Sequence, residues 1–303
     1  MKDVAPAATV VIVSYQGRPR IDMPLRALAQ QDCVESFEVI VVASGTDGCA
    51  EQVERHFPSV KILRSNDRLR PGPARNRGVE AANGDVIAFL PDDGYPHRSW
   101  LSARLRLHRA GADAVGGAIV AVGPTGYVPR AAHLLEYSSL LPYDELLAAQ
   151  EVPHCLSFRR SVFVSLGRYP EDTTTGEDTI FNLRCREANL SYAFSSDIRM
   201  GHCGLPSLRK NVRHAFLHGR GLMQCSRRHG LGSTIDVPHG TMPAAWRCLV
   251  RYPAVGLASK VRRLARYAPQ ELLTLALTSP VIALLLVATG VGAFVEWRQE
   301  RIS

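Results

Sequence analysis

The sequence has 303 residues, of which 46% are hydrophobic and 21% are charged, and this composition is that of an ordinary globular protein. It excludes a mainly disordered chain and a low-complexity repeat. The net charge of +8 points to an anionic partner, either a membrane surface or a nucleic acid. No nucleic-acid partner is expected, because the chain has no zinc-finger spacing and no aromatic-basic ribonucleoprotein motif.

The cysteines and the N-terminus indicate a cytosolic compartment. The seven cysteines are odd in number, scattered and without a C-x-x-C pair, which argues against a disulfide framework and a zinc ribbon. Reduced thiols are therefore expected. Residues 1–8 contain no apolar run, so the sequence predicts no signal peptide there.

Strand and helix patterns alternate through the first hundred residues. Val10–Val13 is a β-branched run, typical of a strand buried on both faces of a parallel sheet. The elements predicted after it are a helix around Leu25–Ala29, strands at Phe37–Val42, Val60–Leu63 and Val86–Leu90, a helix at Ala50–His56, and a helix begun near Pro73 and ended by Gly84. This alternation predicts right-handed crossovers and an α/β fold with a doubly wound, mostly parallel sheet flanked by helices.

Polar turns follow three of these strands, at Ser14-Tyr15, Ser44–Gly48 and Asp92-Asp93. Ligands of such sheets bind beyond the carboxyl ends of the strands, so the three turns are expected to line one crevice. The adjacent carboxylates of Asp92 and Asp93 repel each other unless a cation lies nearby. Their hard oxygen ligands suit a divalent cation, Mg²⁺ or Mn²⁺, whereas the alternative is a solvated Asp-Asp-Gly turn.

The middle of the chain continues with a helix at Trp100–Ala110 and a strand at Ala114–Val122. Farther on, Glu177 and Asp178 begin another helix, where acidic side chains are favoured by the helix dipole. The apolar residues that follow these acids recur at the spacing of one buried helix face.

A basic segment and an apolar helix close the chain. Residues 199–270 hold thirteen Lys and Arg against one acid, Asp236, and they lead into Leu272–Val295, 24 residues without a charge. Such a stretch is long enough to cross a membrane, and a basic band beside it is typical of a juxtamembrane segment. The alternative for the apolar stretch is a buried core helix. Lys and Arg are slightly more frequent on its N-terminal flank, which favours a cytoplasmic catalytic domain at the cell membrane.

Six sequence blocks stand in the order and at the spacing of one known family. They are Val11–Tyr15, Gly72–Gly78, Phe89–Asp93, the pair Phe158–Arg160 and Leu166–Tyr169, Gly176–Asp178, and His202. Over roughly residues 9–203 the chain thereby resembles the family 2 glycosyltransferases, which are inverting enzymes with the GT-A fold. The resemblance implies a metal-dependent hexosyltransferase that takes its sugar from a nucleoside-diphosphate sugar.

The resemblance assigns roles to the acidic residues. Asp178 would be the general base that takes the proton of an acceptor hydroxyl, and Glu177 beside it would be a positioning residue. Asp93 would coordinate the divalent cation, and Asp92 would contact the ribose or orient the metal shell. His202 would be a further metal ligand or, alternatively, a structural histidine that caps the sheet.

Ser14, Tyr15 and Arg75 would lie around the nucleotide base. The family usually has an acid at the end of the second strand, where this chain has Ala43-Ser44. The base would then be held through Ser44 or Asp47. The first position of the metal motif is Pro91 instead of aspartate, which leaves two acids for the cation.

The acceptor implied by the resemblance is a glycan or a lipid-linked intermediate of an envelope or surface polysaccharide. The chain has no Q-x-x-R-W motif, which argues against a processive polymerase. The predicted domains are a catalytic domain at 1–204, a basic helical segment at 205–270, a transmembrane helix at 271–296 and a short tail at 297–303.

Two other functions fit parts of the sequence. A sugar-phosphate nucleotidyltransferase would carry a Gly-rich basic loop after its first strand, and Gln16–Arg20 resembles one faintly. A non-catalytic membrane protein that binds sugar nucleotides is suggested by Ala43 and Pro91, the two departures from the family pattern.

Overall fold

The computed structural model of the chain describes residues 5–123, 126–143, 157–230 and 243–299. Cys155, Asp236 and the tail beyond Gln299 lie outside these ranges. The chain forms two compact units. The first consists of Met1–Val120, Leu140–Glu171 and Phe181–His202, and the second of Ala121–Ser139, Asp172–Ile180 and Cys203–Ser303. The domain boundary predicted after residue 204 stays a prediction.

One eight-stranded sheet organises the first unit. Its strands are β1 (Ala8–Tyr15), β2 (Phe37–Ser44), β3 (Lys61–Ser65), β4 (Val86–Pro91), β5 (Gly94–Pro96), β6 (Ala114–Val122), β7 (Ser157–Arg159) and β8 (Tyr192–Cys203). They lie in the order β3-β2-β1-β4-β7-β6-β8-β5. The pairs among β1, β2, β3 and β4 are parallel, whereas β7 is antiparallel to β4 and β6, and β5 is antiparallel to β8. The predicted α/β class is confirmed.

Eleven α-helices are found in the described ranges. They are α1 (Asp22–Leu28), α2 (Cys49–His56), α3 (Pro71–Ala81), α4 (Trp100–Arg109), α5 (Tyr127–Tyr137), α6 (Arg160–Leu166), α7 (Glu177–Glu187), α8 (Leu208–His229), α9 (Ala244–Trp246), α10 (Tyr252–Tyr267) and α11 (Leu272–Gln299). A π-helical turn at Arg247–Arg251 joins α9 to α10, and a 3₁₀ turn at Pro269–Glu271 precedes α11.

An aromatic cluster forms the centre of the first unit's core. The side chains of Phe89, Phe158, Phe163, Tyr169 and Phe181 meet with ring centroids 4.6–6.5 Å apart. Most pairs are edge-to-face or tilted, which is the favoured geometry for aromatic rings. Because Phe89 belongs to β4, the cluster anchors the strand that is followed by Asp92 and Asp93.

Two arginines of the Phe158–Arg160 block bind backbone carbonyls. Arg159 Nε donates to Ala112 O at 3.2 Å, and Arg160 Nε donates to Gly84 O at 3.0 Å. Their Nη2 atoms also donate to His108 O and Ala82 O, which lie at the C-terminal ends of α4 and α3, where backbone acceptors lack intrahelical donors. In this structure the two guanidinium groups therefore fix β7 against its neighbours.

In the second unit, α8 and α11 pack backbone to backbone. A β-carbon added at Gly219 would lie 1.8 Å from Thr289 O, and one added at Gly292 would lie 1.9 Å from Phe216 O. Only glycine permits helices to approach this closely. Among the described residues, the helical stretch Pro269–Gln299 is the one segment that is long and apolar enough to cross a membrane, and 39% of its most apolar window is buried.

Candidate active site

The predicted strand-end residues Ser14 and Asp92 meet at the carboxyl edge of the sheet. Because β1 and β4 are parallel neighbours with Val13 opposite Pro91, the residues that follow, Ser14 and Asp92, come close together. Ser14 Oγ donates to Asp92 Oδ2 at 2.8 Å, and Arg20 Nη2 donates to the same oxygen at 2.9 Å. The side chain of Asp92 is only 13% exposed, so this carboxylate is held in one orientation by a hydroxyl and a cation.

Asp93 lies beside His202 because β5 and β8 pair antiparallel with Gly94 opposite His202. His202 Nε2 is 3.5 Å from Asp93 Oδ2. Burial raises the pKa of Asp93 above its ordinary value, the nearby imidazole opposes this rise, and the charge of Asp92 adds to it. Asp93 is thus a largely buried carboxylate whose charged form would be favoured by further positive charge.

Asp93 and His202 fit a divalent cation as a partial ligand set. Among the described residues no group of three or more His, Cys, Asp or Glu side chains is arranged to hold a metal. Hard divalent ions often take one or two protein ligands and complete their shell with phosphate oxygens and water. A carboxylate oxygen and an imidazole nitrogen at this spacing suit that mode of binding.

The loop after β1 wraps around Asp92. Gln16 has a positive φ of 47°, and a β-carbon added at Gly17 would lie 1.8 Å from Ser14 Oγ and 2.5 Å from Asp92 Oδ2. Arg20, at the end of this loop, has its pKa raised mainly by its hydrogen bond to Asp92. Arg20 and Gly17 are functional candidates that the sequence patterns did not single out. The signal was the same Gln16–Arg20 stretch that resembled a nucleotidyltransferase loop.

The two residues predicted at the end of β2 shape the same edge of the sheet. Ser44 Oγ donates to Ser14 O at 3.2 Å and is buried. Asp47 Oδ2 accepts from Arg18 N at 2.9 Å, and its Oδ1 accepts from Cys49 N at 3.1 Å. Asp47 therefore ties the loop after β1 to the start of α2.

Tyr15 and Arg75 are placed differently from each other. Tyr15 is 38% exposed, and the guanidinium of Arg68 lies 4.6 Å from the centroid of its ring. Arg75, on α3, has its guanidinium 5.5 Å from the Tyr169 ring and 5.8 Å from the Phe89 ring. Tyr15 presents a partly exposed face, whereas Arg75 contacts the aromatic cluster.

Glu177 and Asp178 occupy the first turn of α7, in a part of the chain assigned to the second unit. Glu177 is buried, with 4% of its surface exposed. Asp178 is half-buried, and its Oδ1 accepts from Thr179 N at 2.7 Å. The helix dipole favours the ionised form of a carboxylate at this position.

The loop before these acids is held by α8. Gln224 Oε1 accepts from both Thr174 N and Thr174 Oγ1, each at 3.0 Å. Cys225 Sγ donates to Thr175 O at 3.2 Å, and burial, with added repulsion from Asp178, raises the pKa of this thiol to about 12. Gly176 has a φ of +84°, and an added β-carbon would lie 2.7 Å from Cys225 Sγ. Only glycine fits at this point of the loop.

The same glutamine connects the loop to α11. Gln224 Nε2 donates to Glu296 Oε1 at 2.7 Å, and Arg220 Nε donates to Glu296 Oε2 at 2.6 Å. Glu296 is 4% exposed, so its charge is buried but paired. A continuous set of hydrogen bonds therefore runs from the last turns of α11 to the loop that precedes Glu177 and Asp178.

Comparison with known proteins identifies the family. Residues 9–167 match the model of glycosyl transferase family 2. The glycosyltransferase AglE of Haloferax volcanii is 26% identical over 232 residues, which cover 74% of this chain and 75% of that protein. The glucosyl-dolichyl phosphate glucuronosyltransferase of the same organism is 27% identical over 168 residues, covering 51% of this chain and 52% of that protein.

A solved structure shares the fold. The mannosyltransferase PcManGT from Pyrobaculum calidifontis, determined in complex with GDP-Man and Mn²⁺, superposes with a TM-score of 0.63 at 20% identity and covers 96% of this chain and 88% of that one. The GT-A fold that the sequence blocks predict is thereby confirmed. Since the family model matches just over half of its residues, the chain belongs to glycosyl transferase family 2.

Proposed function

We propose that this chain is an inverting glycosyltransferase that moves a hexosyl group from a nucleoside-diphosphate sugar to a hydroxyl of a glycan or lipid-linked acceptor. The observation that carries this proposal is the acid pair at the end of β4. Asp92 is fixed by Ser14 and Arg20, and the largely buried Asp93 faces His202. An arrangement of this kind beyond the carboxyl ends of parallel strands suits a phosphate-bearing ligand and a cation.

On the donor side, Asp93 and His202 would hold Mg²⁺ or Mn²⁺. When bound, the cation would stabilise negative charge on the departing nucleoside diphosphate. Asp92 would contact the ribose or orient the ligands of the cation. The guanidinium of Arg20 keeps the Asp92 carboxylate in place. The presence of GDP-Man and Mn²⁺ in PcManGT, a protein of the same fold, supports this assignment.

The nucleotide base would lie near Ser14, Tyr15, Ser44, Asp47 and Arg75. The partly exposed ring of Tyr15 can stack on a base. Both carboxylate oxygens of Asp47 accept backbone N–H groups, so its contribution would be to shape the loops beside the base. Ser44 would act in the same way, through its hydrogen bond to the carbonyl of Ser14.

On the acceptor side, Asp178 would be the general base. It would take the proton of the acceptor hydroxyl while the oxygen attacks the anomeric carbon, and this single displacement inverts that centre. Glu177 is buried beside it and would position the helix start. These roles rest on the Gly176–Asp178 motif of the family pattern and on the placement of both acids in the first turn of α7.

The acceptor would belong to the synthesis of an envelope or surface polysaccharide, at the cell membrane, with the catalytic residues on the cytoplasmic side. Two features support a membrane location, namely the apolar helix α11 and the basic segment before it. A glucosyl-dolichyl phosphate, the substrate named for one relative, is a lipid-linked sugar of the proposed acceptor type.

A panel of UDP-, GDP- and dTDP-sugars with Mn²⁺ tests the donor assignment. The cognate donor at about 100 times its Kd is expected to stabilise the protein by roughly 2.7 kcal/mol, visible as a raised melting temperature. The increase should vanish in Asp93→Ala and in excess chelator. A full increase under both conditions would show that neither Asp93 nor the cation contributes to donor binding. Release of pyrophosphate from a nucleoside triphosphate would favour the alternative function, a nucleotidyltransferase.

Gly17→Ala is expected to weaken donor binding without unfolding the protein. The added methyl group would displace the Ser14 hydroxyl and the Asp92 carboxylate, whose hydrogen bond would break. Loss of one charge-assisted hydrogen bond corresponds to roughly a 10- to 100-fold rise in Kd, measurable by calorimetry. Gly204→Ala is the matched control, since its added carbon would meet no atom closer than 4.0 Å. Equal donor affinity in both variants would contradict this role for the loop.

A further inference from the structure

The two ends of α11 are bound by charged residues of two different helices. Glu271, in the 3₁₀ turn that leads into α11, accepts from Arg130 Nη2 of α5 at 3.0 and 3.1 Å. In the last turns of α11, Glu296 accepts from Arg220 Nε of α8 at 2.6 Å. Along a helix the two glutamates are separated by roughly 38 Å, at about 1.5 Å per residue.

A membrane-spanning position of α11 conflicts with keeping both ion pairs. A spanning helix places its ends on opposite sides of a hydrocarbon core about 30 Å thick. Both α5 and α8 precede α11 in the chain, and within the described ranges no other helix is long and apolar enough to cross. The two helices therefore lie on the same side of any membrane. Both ion pairs form only if α11 stays on that side as well.

The middle of α11 is also packed against polar structure. Its backbone touches α8 at the Gly219 and Gly292 contacts, and α8 carries six Lys and Arg within 22 residues. Near the start of α11, Tyr127 Oη donates to Leu277 O at 2.7 Å. Arginine and lysine side chains are strongly disfavoured in hydrocarbon, so the packed face of α11 does not face lipid.

The opposite face of α11 is an exposed apolar stripe. It consists of Leu273, Leu277, Leu284, Val287 and Val291, which are 69%, 62%, 44%, 41% and 37% exposed. Their spacing of three, four and seven residues places them on one side of the helix. A continuous exposed apolar surface of this kind is typical of a binding site for a membrane or another protein.

The neighbouring helix α10 identifies the occupant of this stripe. A β-carbon added at Gly256 of α10 would lie 2.9 Å from Leu286 Cδ2, so α10 packs directly on α11. Arg262 and Arg266 on α10 are exposed. Exposed cations on a helix packed against the one that carries the apolar stripe complement anionic headgroups above an acyl layer, and each basic residue near such a surface strengthens binding.

We propose that α11 lies in the plane of the membrane interface, with its apolar stripe in the acyl boundary and the cations of α10 at the headgroups. This placement of α11 specifies the membrane location given in the proposed function, and it does not depend on the transfer chemistry. The chain would be held on one face of the bilayer, and the spanning helix predicted from the sequence is the alternative that the experiment tests.

Terminal tags on the full-length chain distinguish the two arrangements. In sealed membrane vesicles from expressing cells, an added protease is expected to remove the N-terminal and C-terminal tags together, or to spare both, according to vesicle orientation. Removal of one tag with protection of the other would show that α11 spans, and would overturn the proposal. Because no sugar transfer is measured, failure of the proposed enzymatic function leaves this result unaffected.

Flotation with vesicles of phosphatidylcholine and phosphatidylglycerol tests the stripe itself. The double variant Leu277→Gln, Leu284→Gln is expected to bind roughly tenfold more weakly per leucine, since each loses apolar surface placed in lipid. The control Val34→Gln, Val164→Gln changes two residues that are 95% and 82% exposed in the first unit, and should bind like the wild type. Unchanged binding of the stripe variant, or a detergent-free dimer that the variant abolishes, would overturn lipid as the occupant.

Discussion

Asp178→Asn is expected to lower the turnover number by roughly 10²–10⁴-fold while the affinity for the donor stays within about twofold of the wild type, because general-base catalysis contributes that much to such reactions. The amide is nearly isosteric with the carboxylate, and it can still accept from Thr179 N. It cannot take the proton of the acceptor hydroxyl. Single-turnover transfer and donor titration on the same preparation measure the two quantities separately.

Glu177→Gln is the matched control for this prediction. Glu177 is the neighbouring acid, but it is buried. Its replacement is therefore expected to lower the melting temperature clearly and the rate of the chemical step only slightly. If Asp178→Asn turns over at the wild-type rate and Glu177→Gln does not, the base is Glu177. If both variants are fully active, the catalytic base lies outside the Gly176–Asp178 motif and the acceptor-side assignment fails.

The sequence predicted the parallel half of the sheet well because that half is locally encoded. The β-branched run Val10–Val13 lies within β1, and the apolar runs at Phe37–Val42 and Val86–Leu90 lie within β2 and β4. Such strands are buried on both faces, so a continuous apolar run identifies each of them without information on the strands beside it. The three-residue β7 carries too few positions for any periodicity, and β8 mixes exposed and buried residues without strict alternation.

The candidate site was predictable where it depends on strand ends and not where it depends on loop conformation. The rule for parallel sheets brings Ser14 and Asp92 together from sequence alone. The contact of Arg20 with Asp92 requires the particular turn at Gln16 and Gly17, which no local pattern specifies. Likewise, composition predicts an apolar C-terminal helix but does not show which of its faces is covered.

Glu296 is the clearest example of a contact that sequence patterns do not predict. In the sequence it is the acid that directly follows the uncharged stretch Leu272–Val295. In the structure it is buried between Arg220 and Gln224, more than seventy residues earlier in the chain. Long-range polar pairs of this kind leave no periodic signal, although they fix how helices pack.

The hydrogen bonds from Glu296 through Gln224 to Thr174 lead to a second large expected effect. Gln224→Glu places a second carboxylate within hydrogen-bonding distance of Glu296 and removes the N–H that Glu296 accepts. The resulting repulsion should displace the loop that precedes Asp178. We expect the turnover number to fall roughly 10²-fold with little change in donor affinity, since misplacing a catalytic group by about 1 Å has an effect of that size. Transfer rate and donor titration are the measurements.

Adding Glu296→Gln to that variant is expected to restore turnover to within about threefold of the wild type. The exchange preserves each bond, because the new carboxylate still accepts from Thr174 N, the new amide donates to it, and the amide oxygen accepts from Arg220. Glu271→Gln, which breaks only the ion pair with Arg130, should lower the melting temperature and leave turnover unchanged. Slow turnover in the double variant Gln224→Glu, Glu296→Gln, or full activity in Gln224→Glu alone, would contradict a role of α11 in positioning the loop that precedes Asp178. Faster amide exchange at Thr174 in the single variant alone would locate the defect in that loop.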